Sequence, residues 1–268
     1  MLARGALKSF PRAGILALLF ATLTLASSGY AEPAADAALA KPQWKVGDFW
    51  TIETATQRVQ GREEKSPVNP PRVRWQFKVT NIEKVAGQDC YRIDVECLAQ
   101  GRVRPKSTLW CDKETCFLRQ FQTQLAFNGR YQTIQESYDC AKGLASPVVA
   151  SINALPLSMP AFLPKGSKGL NEFQYTSQPL PAGSKNPAIL RFAQSISQDV
   201  RPADAELAKK LYQGYSKDLT SKPLTQVTLE TGPQKRDKVV QLWQSGSPWP
   251  VYVNNGRTQA WLLAAGHQ

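Results

Sequence analysis

Histidine is almost absent from this chain of 268 residues: the one histidine is His267, next to the end of the sequence. Ser-His-Asp and Cys-His nucleophile systems need an imidazole base, so the sequence gives no support to either. The GxSxG, SxxK, GxGxxG and Walker-type glycine motifs are also missing. We therefore expect no enzyme of these classes and no cofactor, and only a pair of carboxylates could support catalysis.

No apolar run reaches the ~20 residues that a membrane-spanning helix needs. The run GILALLFATLTL (14–25) follows a basic start without acidic residues and precedes the small residues ASSGYA (26–31). This order is typical of a secretory signal peptide. We predict cleavage after Ala31, with ALA at 38–40 as a second option. We expect a soluble protein that is not membrane-spanning and is exported to a periplasm or out of the cell.

Cysteine is scarce as well, and its spacing excludes two uses. The five cysteines are Cys90, Cys97, Cys111, Cys116 and Cys140. No two of them form the CxxC pattern of zinc sites and thioredoxin-type redox sites, and a single histidine adds little. We predict no metal site. Since export favours disulfides, an odd number leaves one thiol that is free or that links two chains.

The stretch WCDKETC (110–116) suggests where one disulfide forms. If DKET is a four-residue hairpin loop, Cys111 and Cys116 face each other across the two strands. Directly opposed β-carbons lie within about 5.5 Å, near the separation that a disulfide requires. We predict a Cys111–Cys116 disulfide, with Cys97–Cys111 across the preceding hairpin as the alternative.

Positive charge exceeds negative charge, with a net charge of +12. The excess lies in short stretches such as GRVRPK (101–106) and QKRDK (234–238), which are typical of solvated turns. An exported basic protein tolerates anionic neighbours such as lipid headgroups or acidic polysaccharide. The basic residues are not interleaved with aromatic ones, so we expect no binding of single-stranded nucleic acid.

Alternating apolar residues indicate a series of β-strands. The stretches VRWQFKV (73–79) and CYRIDVEC (90–97) each place apolar side chains at every second position, which is the period of a strand with one buried face. Further strands are expected at 116–127 and 130–138, joined by Asn128-Gly129, a strong hairpin signal. Short turns between such strands predict an antiparallel meander.

The predicted fold is mainly β (α+β): a curved antiparallel sheet or half-barrel meander with one or two helices packed on it. The helix is expected at 202–217, where a proline and acids come first and lysines last. Residues 32–43 read as a disordered Ala/Pro-rich lead-in, and 44–268 as a single β-rich domain. The proline-punctuated apolar stretch 145–170 is a possible subdivision of that domain.

Aromatic and apolar side chains are the candidate ligand contacts. The stretch LPLSMPAFLP could cover an apolar cavity or only close the edge of the sheet, and Trp249, between two prolines, could grip a ligand or fill a corner. The candidate ligand-binding residues are Trp75, Phe121, Met159, Phe162, Trp249 and Tyr252.

Asp94 and Glu96 are the candidate catalytic pair. As i and i+2 residues of one strand they share a face, near the ~5 to 9.5 Å that glycoside hydrolysis needs between two carboxyl groups. Arg92 shares that face, so a solvated, charge-balanced strand surface is the simpler interpretation, and we assign no catalytic residue.

Residues 44–140 resemble the periplasmic lipoprotein carriers of the LolA, LolB and LppX type. The resemblance rests on VGDFWTIET, VAGQDCYRIDVEC and LWCDKETCFLRQF, where a strand ending in a Trp-x-Asp turn leads into one with a Leu-Arg-x-Phe pattern. It implies a curved half-barrel that is closed by helices over an apolar cavity, and it implies no catalytic residues.

Three hypotheses follow for the function. The first is an exported binding protein that holds a lipid or other amphiphile in a β half-barrel, without bond chemistry. The second is a carboxylate-based hydrolase of envelope polysaccharide that uses Asp94 and Glu96. The third is an interaction module whose partner is another protein of the cell envelope.

Overall fold

The computed structural model describes thirteen parts of the chain. They are residues 41–56, 72–98, 106–127, 130–139, 150–152, 155–157, 168–180, 188–204, 206, 208–209, 223–231, 237–256 and 258–268. Several features predicted from the sequence lie outside these residues. They are the signal peptide (1–31), most of the lead-in (32–43), the Asn128-Gly129 turn, Cys140, Met159 and Phe162.

Fourteen strands make up the described chain in the order β1 to β14. They are β1 (Asp48–Thr56), β2 (Arg72–Val85), β3 (Gln88–Cys97), β4 (Lys106–Asp112), β5 (Leu118–Phe127), β6 (Arg130–Asp139), β7 (Ala150–Ile152), β8 (Leu155–Leu157), β9 (Lys168–Leu180), β10 (Ala188–Pro202), β11 (Leu224–Thr231), β12 (Asp237–Gln244), β13 (Tyr252–Asn254) and β14 (Thr258–His267).

Twelve of the strands form one antiparallel sheet in which every strand pairs with two neighbours. The order is β1-β14-β13-β12-β11-β10-β9-β6-β5-β4-β3-β2, and β1 pairs with β2 as well as with β14, so the order closes on itself. β7 and β8 form a separate pair. The predicted antiparallel meander is confirmed for β2 to β6. The pairing continues beyond the half-barrel that was expected, because β1 joins the last strand of the chain.

The period-2 pattern of β2 and β3 becomes one buried and one polar face. In β2, Trp75, Phe77 and Val79 are buried, whereas Gln76 and Lys78 between them are not. The residues predicted to be buried in β3, from Tyr91 to Cys97, are buried in the same alternation. Because in-register neighbours share a face, these side chains form a continuous core along β1 to β5. We call this side the core face and the opposite side the polar face.

Stacked aromatic rings fill one part of the core. Trp50 stacks on Trp44 at 5.8 Å, on Phe77 at 5.4 Å and on Trp249 at 5.6 Å between ring centroids. Each such pair contributes about 0.5–1.5 kcal/mol beyond its buried area. Trp44 also donates from Nε1 to the Pro248 carbonyl at 2.8 Å. Trp249 in its Pro-Trp-Pro corner therefore fills the core.

The strands β11 to β14 are buried on both faces. In β12 and β13, Val239, Trp243 and Val253 belong to one apolar cluster. Leu242 and Tyr252, next to them along the same strands, point the other way and belong to the large core. Consecutive residues of this part of the sheet are therefore buried, unlike those of β2 and β3.

The helix predicted at 202–217 is described only at its start. Pro202 is still the last residue of β10. Asp204 begins the helical turn: its side-chain Oδ1 accepts the Glu206 N–H at 2.8 Å, and its carbonyl accepts the Ala208 N–H at 2.9 Å. No complete helix occurs in the described parts of the chain, so the expected packing of helices on the sheet has no support there. In those parts, no helix is long and apolar enough to cross a membrane.

The hairpin between β4 and β5 corrects the register behind the predicted disulfide. Cys111 pairs with Leu118 rather than with Cys116. The backbone N–H of Asp112 donates to the Phe117 carbonyl at 2.7 Å, so the turn consists of residues 113–116 instead of DKET. The cause is the Asp112 side chain, whose Oδ1 accepts the backbone N–H groups of Glu114 and Thr115.

The described cysteines are all free, so the structure contains neither the predicted Cys111–Cys116 disulfide nor the alternative Cys97–Cys111. Cys116 adopts a left-handed backbone conformation with φ 59° and points into the core. Burial raises the pKa of the Cys90 and Cys116 thiols to about 11, so both remain protonated at neutral pH.

Candidate functional site

The polar face of β2 to β6 carries two rows of side chains that strand pairing brings together. In the first row, each residue is the register partner of the next. Its members, one from each strand, are Lys78, Asp94, Thr108, Gln122 and Gln135. Strands lie about 4.8 Å apart, so this row presents a polar group at that interval.

The second row lies two residues further along each strand. Glu96 is the register partner of Gln76 on one side and of Lys106 on the other, and Gln124 is paired with Thr133. Two residues of a strand span about 6.8 Å. The two rows together therefore form a regular grid of amide, hydroxyl and charged groups.

A groove of about 450 Å³ lies over this grid. Its volume falls in the range of small-molecule sites, about 300–1,000 Å³, but most such sites are lined by apolar groups. The residues that line it are Gln76, Lys78, Thr80, Arg92, Asp94, Val95, Glu96, Lys106, Ser107, Thr108, Gln122, Thr123, Gln124 and Thr133. None of these lining residues is aromatic.

Arg92 organises the charges at one end of the groove. Its guanidinium donates from Nε to Asp94 Oδ1 and from Nη1 to Glu83 Oε1, both at 3.1 Å. Thr108 donates to the same Asp94 oxygen at 3.0 Å. Hydrogen bonds to Glu83 and Asp94 raise the pKa of Arg92. The Asp94 carboxylate is thus held by two donors: Arg92 on its own strand, β3, and Thr108 on the neighbouring strand, β4.

Glu83 and Trp110 complete this cluster. The Trp110 Nε1–H donates to Glu83 Oε2 at 2.7 Å, and this bond, followed by the Arg92 guanidinium, lowers the pKa of Glu83 against the effect of burial. The Arg92 guanidinium also lies over the Trp110 ring, 5.9 Å from its centroid. Glu83, Arg92, Asp94 and Thr108 are therefore fixed relative to one another before any ligand binds.

The last residues of the chain contact the groove. Lys78, which lines it, donates from Nζ to Gln268 Oε1 at 2.8 Å. The Gln268 N–H in turn donates to the Gly47 carbonyl at 3.0 Å, and His267 Nδ1 lies 2.8 Å from Asp48 Oδ1. These contacts join β14 to the start of β1 at the place where the order of strands closes.

The predicted ligand-binding residues lie elsewhere. Trp75, Phe121, Trp249 and Tyr252 are all less than 5% exposed and belong to the large core. The Trp75 Nε1–H is already bonded to Thr54 Oγ1 at 3.0 Å. These four side chains therefore pack the protein rather than line the groove, and Met159 and Phe162 lie outside the described residues.

Among the described residues, four buried side-chain atoms lack a hydrogen-bond partner: Trp50 Nε1, Arg119 Nε, Gln241 Nε2 and Tyr252 Oη. Two of them, Trp50 Nε1 and Gln241 Nε2, belong to residues with no exposed surface. Gln241 uses only its oxygen, which accepts the Trp243 Nε1–H at 2.9 Å. Buried polar groups are nearly always satisfied, so these two positions could receive an acceptor from water or from a ligand.

Sequence reasoning found the charged part of the groove and missed the rest. Asp94, Glu96 and Arg92 do share one face, as their spacing predicted. Gln76, Gln122 and Gln124 were passed over because polar residues at alternate strand positions are typical of any solvated face. The signal that could have identified them is glutamine at these alternate positions in strands that register side by side.

A metal site has no support in the described part of the chain, where no three His, Cys, Asp or Glu side chains are grouped to hold an ion.

Comparison with known proteins adds little to this geometry. No protein-family model matches the chain, and no curated protein matches it. Among solved structures, it is similar to a β-barrel-like protein of domain of unknown function DUF1849 from Brucella abortus. That match has 9% identity and a TM-score of 0.38, and it covers 85% of this chain and 100% of the other. The assignment of function therefore depends on the groove itself.

Proposed function

We propose that this chain is a binding protein that holds a polar ligand in the groove over β2 to β6, without bond chemistry. The observation that supports this most is the register of five strands, which aligns donors and acceptors in two rows beneath a concave surface. Regular strands hold such groups more rigidly than loops do, so little ordering is needed on binding.

The arrangement of Asp94 argues against its use as the proton-donating acid of a hydrolase. A glycosidase needs one carboxyl group that donates a proton and one that attacks the sugar or activates water. Asp94 instead accepts hydrogen bonds from Arg92 and Thr108 at one oxygen, which favours a fixed carboxylate. Its role in the proposal is to hold Thr108 and Arg92 in fixed positions along the groove.

We also propose that the protein is exported and acts in a periplasm or outside the cell. The support is the order of basic, apolar and small residues in the first 31 positions. A ligand of the cell envelope then becomes accessible to the groove.

A direct test uses ligand-observed NMR with a panel of polar compounds: sugars, dipeptides and nucleosides. We expect at least one compound to receive saturation from the wild-type protein and to lose it with Gln122→Lys, which places a long cationic chain in the groove. The matched control is Gln259→Lys, a residue of β14 outside the groove. Binding that both variants retain, or an absence of binding to the wild type, would contradict the proposal.

A second candidate is the amphiphile carrier of the LolA, LolB and LppX type. It is favoured by the buried unpaired donors Trp50 Nε1 and Gln241 Nε2, which could bind the oxygens of an otherwise apolar ligand. Native mass spectrometry of gently purified protein tests it. A mass excess that disappears on denaturation supports a bound amphiphile, and a mass equal to that of the bare polypeptide argues against it.

A further inference from the structure

We infer that the ligand of the groove is a neutral, polyhydroxylated molecule, an uncharged oligosaccharide that lies across strands β2 to β6. This inference rests on the proposed binding function and specifies its ligand. It depends on three features of the groove: the balance of its charges, the kind of hydrogen-bonding groups that remain, and their spacing.

The charges of the groove are balanced within the protein. Lys78 and Asp94 are direct register partners. Glu96 and Lys106 are register partners on the next pair of strands. Opposite charges that face each other across strands attract, and a charged ligand would have to compete with them. Lys78, Arg92 and Lys106 line the groove together with Asp94 and Glu96. Glu83, which is bonded to Arg92, brings the negative charges to three as well, so no surplus of one sign is offered to an ionic ligand.

The charge of Arg92 is also balanced within the protein. Its guanidinium is bonded to both Glu83 and Asp94 at 3.1 Å and lies over the ring of Trp110. A phosphate or carboxylate ligand would bind this guanidinium more strongly than the lysines of the groove, because a bidentate arginine contact is the strongest that such a group forms. Two carboxylates already occupy it.

The remaining groups both donate and accept hydrogen bonds. They are the amides and hydroxyls of Gln76, Thr80, Thr108, Gln122, Gln124 and Thr133. An amide has an N–H₂ donor and a carbonyl acceptor, and a hydroxyl has both functions on one atom. Sugar hydroxyls also donate and accept hydrogen bonds, so an amide or hydroxyl of the groove can pair with a sugar hydroxyl in either role.

The contact between Gln122 and Gln135 is weak enough to be exchanged, whereas Thr108 stays bonded to Asp94 at 3.0 Å. Gln122 donates from Nε2 to Gln135 Oε1 at 3.3 Å, beyond the usual 2.7–3.2 Å of an N–H···O bond. Polar groups at intervals of about 4.8 Å across strands and about 6.8 Å along them suit an extended ligand with several hydroxyls. Since none of the lining residues is aromatic, no ring stacks on the sugar, and we expect weak affinity that grows with chain length.

The test uses the full mature protein and four trisaccharide probes at equal concentration in saturation-transfer NMR. Cellotriose, maltotriose and tri-N-acetylchitotriose are neutral, and trigalacturonate is anionic. We expect at least one neutral trisaccharide to bind more tightly than trigalacturonate. Gln122→Ala and Thr108→Ala should each lower its affinity about fivefold, the effect of one net hydrogen bond of about 1 kcal/mol. Gln259→Ala, outside the groove, should leave the affinity unchanged.

The outcomes separate the two proposals. If trigalacturonate or the dipeptides of the earlier panel bind instead and lose affinity in Gln122→Ala, the neutral-sugar inference is overturned while the groove remains a binding site. If no compound of either panel depends on Gln122 or Thr108, both proposals fail. The mass of the bound trisaccharide should be unchanged after prolonged incubation, and its cleavage would contradict binding without bond chemistry.

Discussion

The β2–β5 and β11–β14 parts of the same sheet use their two faces differently. In β2, buried Phe77 is followed by Lys78, which lines the groove. In β12, buried Leu242 is followed by Trp243, which is also buried, on the opposite face. A strand that is buried on both faces contributes only to stability. A strand with one polar face can divide its residues between stability and recognition.

The largest expected effects come from substitutions of neighbouring residues in the two parts. Leu242→Ala should lower the free energy of unfolding by about 2–5 kcal/mol and Trp243→Ala by about 3–5 kcal/mol, because both leave cavities. In β2, Phe77→Ala should cost about 3–5 kcal/mol, whereas Gln76→Ala should stay within about 0.5 kcal/mol. Urea denaturation of the four variants measures these values. A large loss of stability in Gln76→Ala, or a small one in Trp243→Ala, would contradict the difference between the two parts of the sheet.

A smaller loss of stability is expected for a substitution of Glu53 in β1, the strand that pairs with both β2 and β14. Glu53 has a side chain only 7% exposed and binds Arg72 at 2.9 Å and Arg74 at 3.1 Å. Glu53→Gln should lower the free energy of unfolding by about 1–3 kcal/mol, since it weakens hydrogen bonds to a charged group. The control is Asp89→Asn, in an exposed pair, where about 0–1 kcal/mol is expected. Equal losses in the two variants in urea denaturation would show that burial of Glu53 does not matter.

A substitution in the charged cluster around Arg92 should give a still smaller, pH-dependent change in the free energy of unfolding. Because the folded-state pKa of Glu83 is below the unfolded value, its contribution is present above the unfolded pKa and is lost as the pH falls through the folded one. Glu83→Gln should therefore lower stability at pH 7, by no more than about 1 kcal/mol for this partly exposed group, and match the wild type in strong acid. Thermal unfolding from pH 2 to 8 measures it, with Glu114→Gln as control. A deficit that grows toward low pH would contradict the sign.

The smallest effect on stability is expected for the amides of the groove. Gln122→Ala should change the free energy of unfolding by no more than about 0.5 kcal/mol, because the side chain is half-buried and its bond to Gln135 is long. Differential scanning calorimetry measures this change. A loss of more than about 1 kcal/mol would assign Gln122 to the stability of the sheet rather than to binding.

Local patterns in the sequence predicted the one-sided strands well. Trp75, Phe77 and Val79 alternate with polar residues, and this period fixes which side chains are buried. The pairing of β1 with β14 was not predicted, because strands so far apart in the sequence carry no local signal of their contact. Trp75 and Phe121, which were predicted to contact a ligand, belong to the large core, and a role of theirs in binding stays a prediction.

The β4–β5 turn was shifted by one residue for a different reason. The side chain of Asp112 competes with the backbone for the N–H groups that follow it, and such capping moves a turn without changing the apolar pattern. The groove was missed because it depends on the register of five strands, which no single strand shows. Asp94 and Glu96 were recognised as a pair, whereas the glutamines beside them were not.

Backbone chemical-shift mapping of the isotope-labelled protein tests the central claim most directly. The titrant is the compound of the polar panel that binds the wild type best. We predict shifts concentrated at residues 76–80, 92–96, 106–108 and 122–124, where the groove is lined. Shifts confined to the surroundings of Trp50 and Gln241, with none in those four stretches, would place the ligand at the buried unpaired donors and contradict the account.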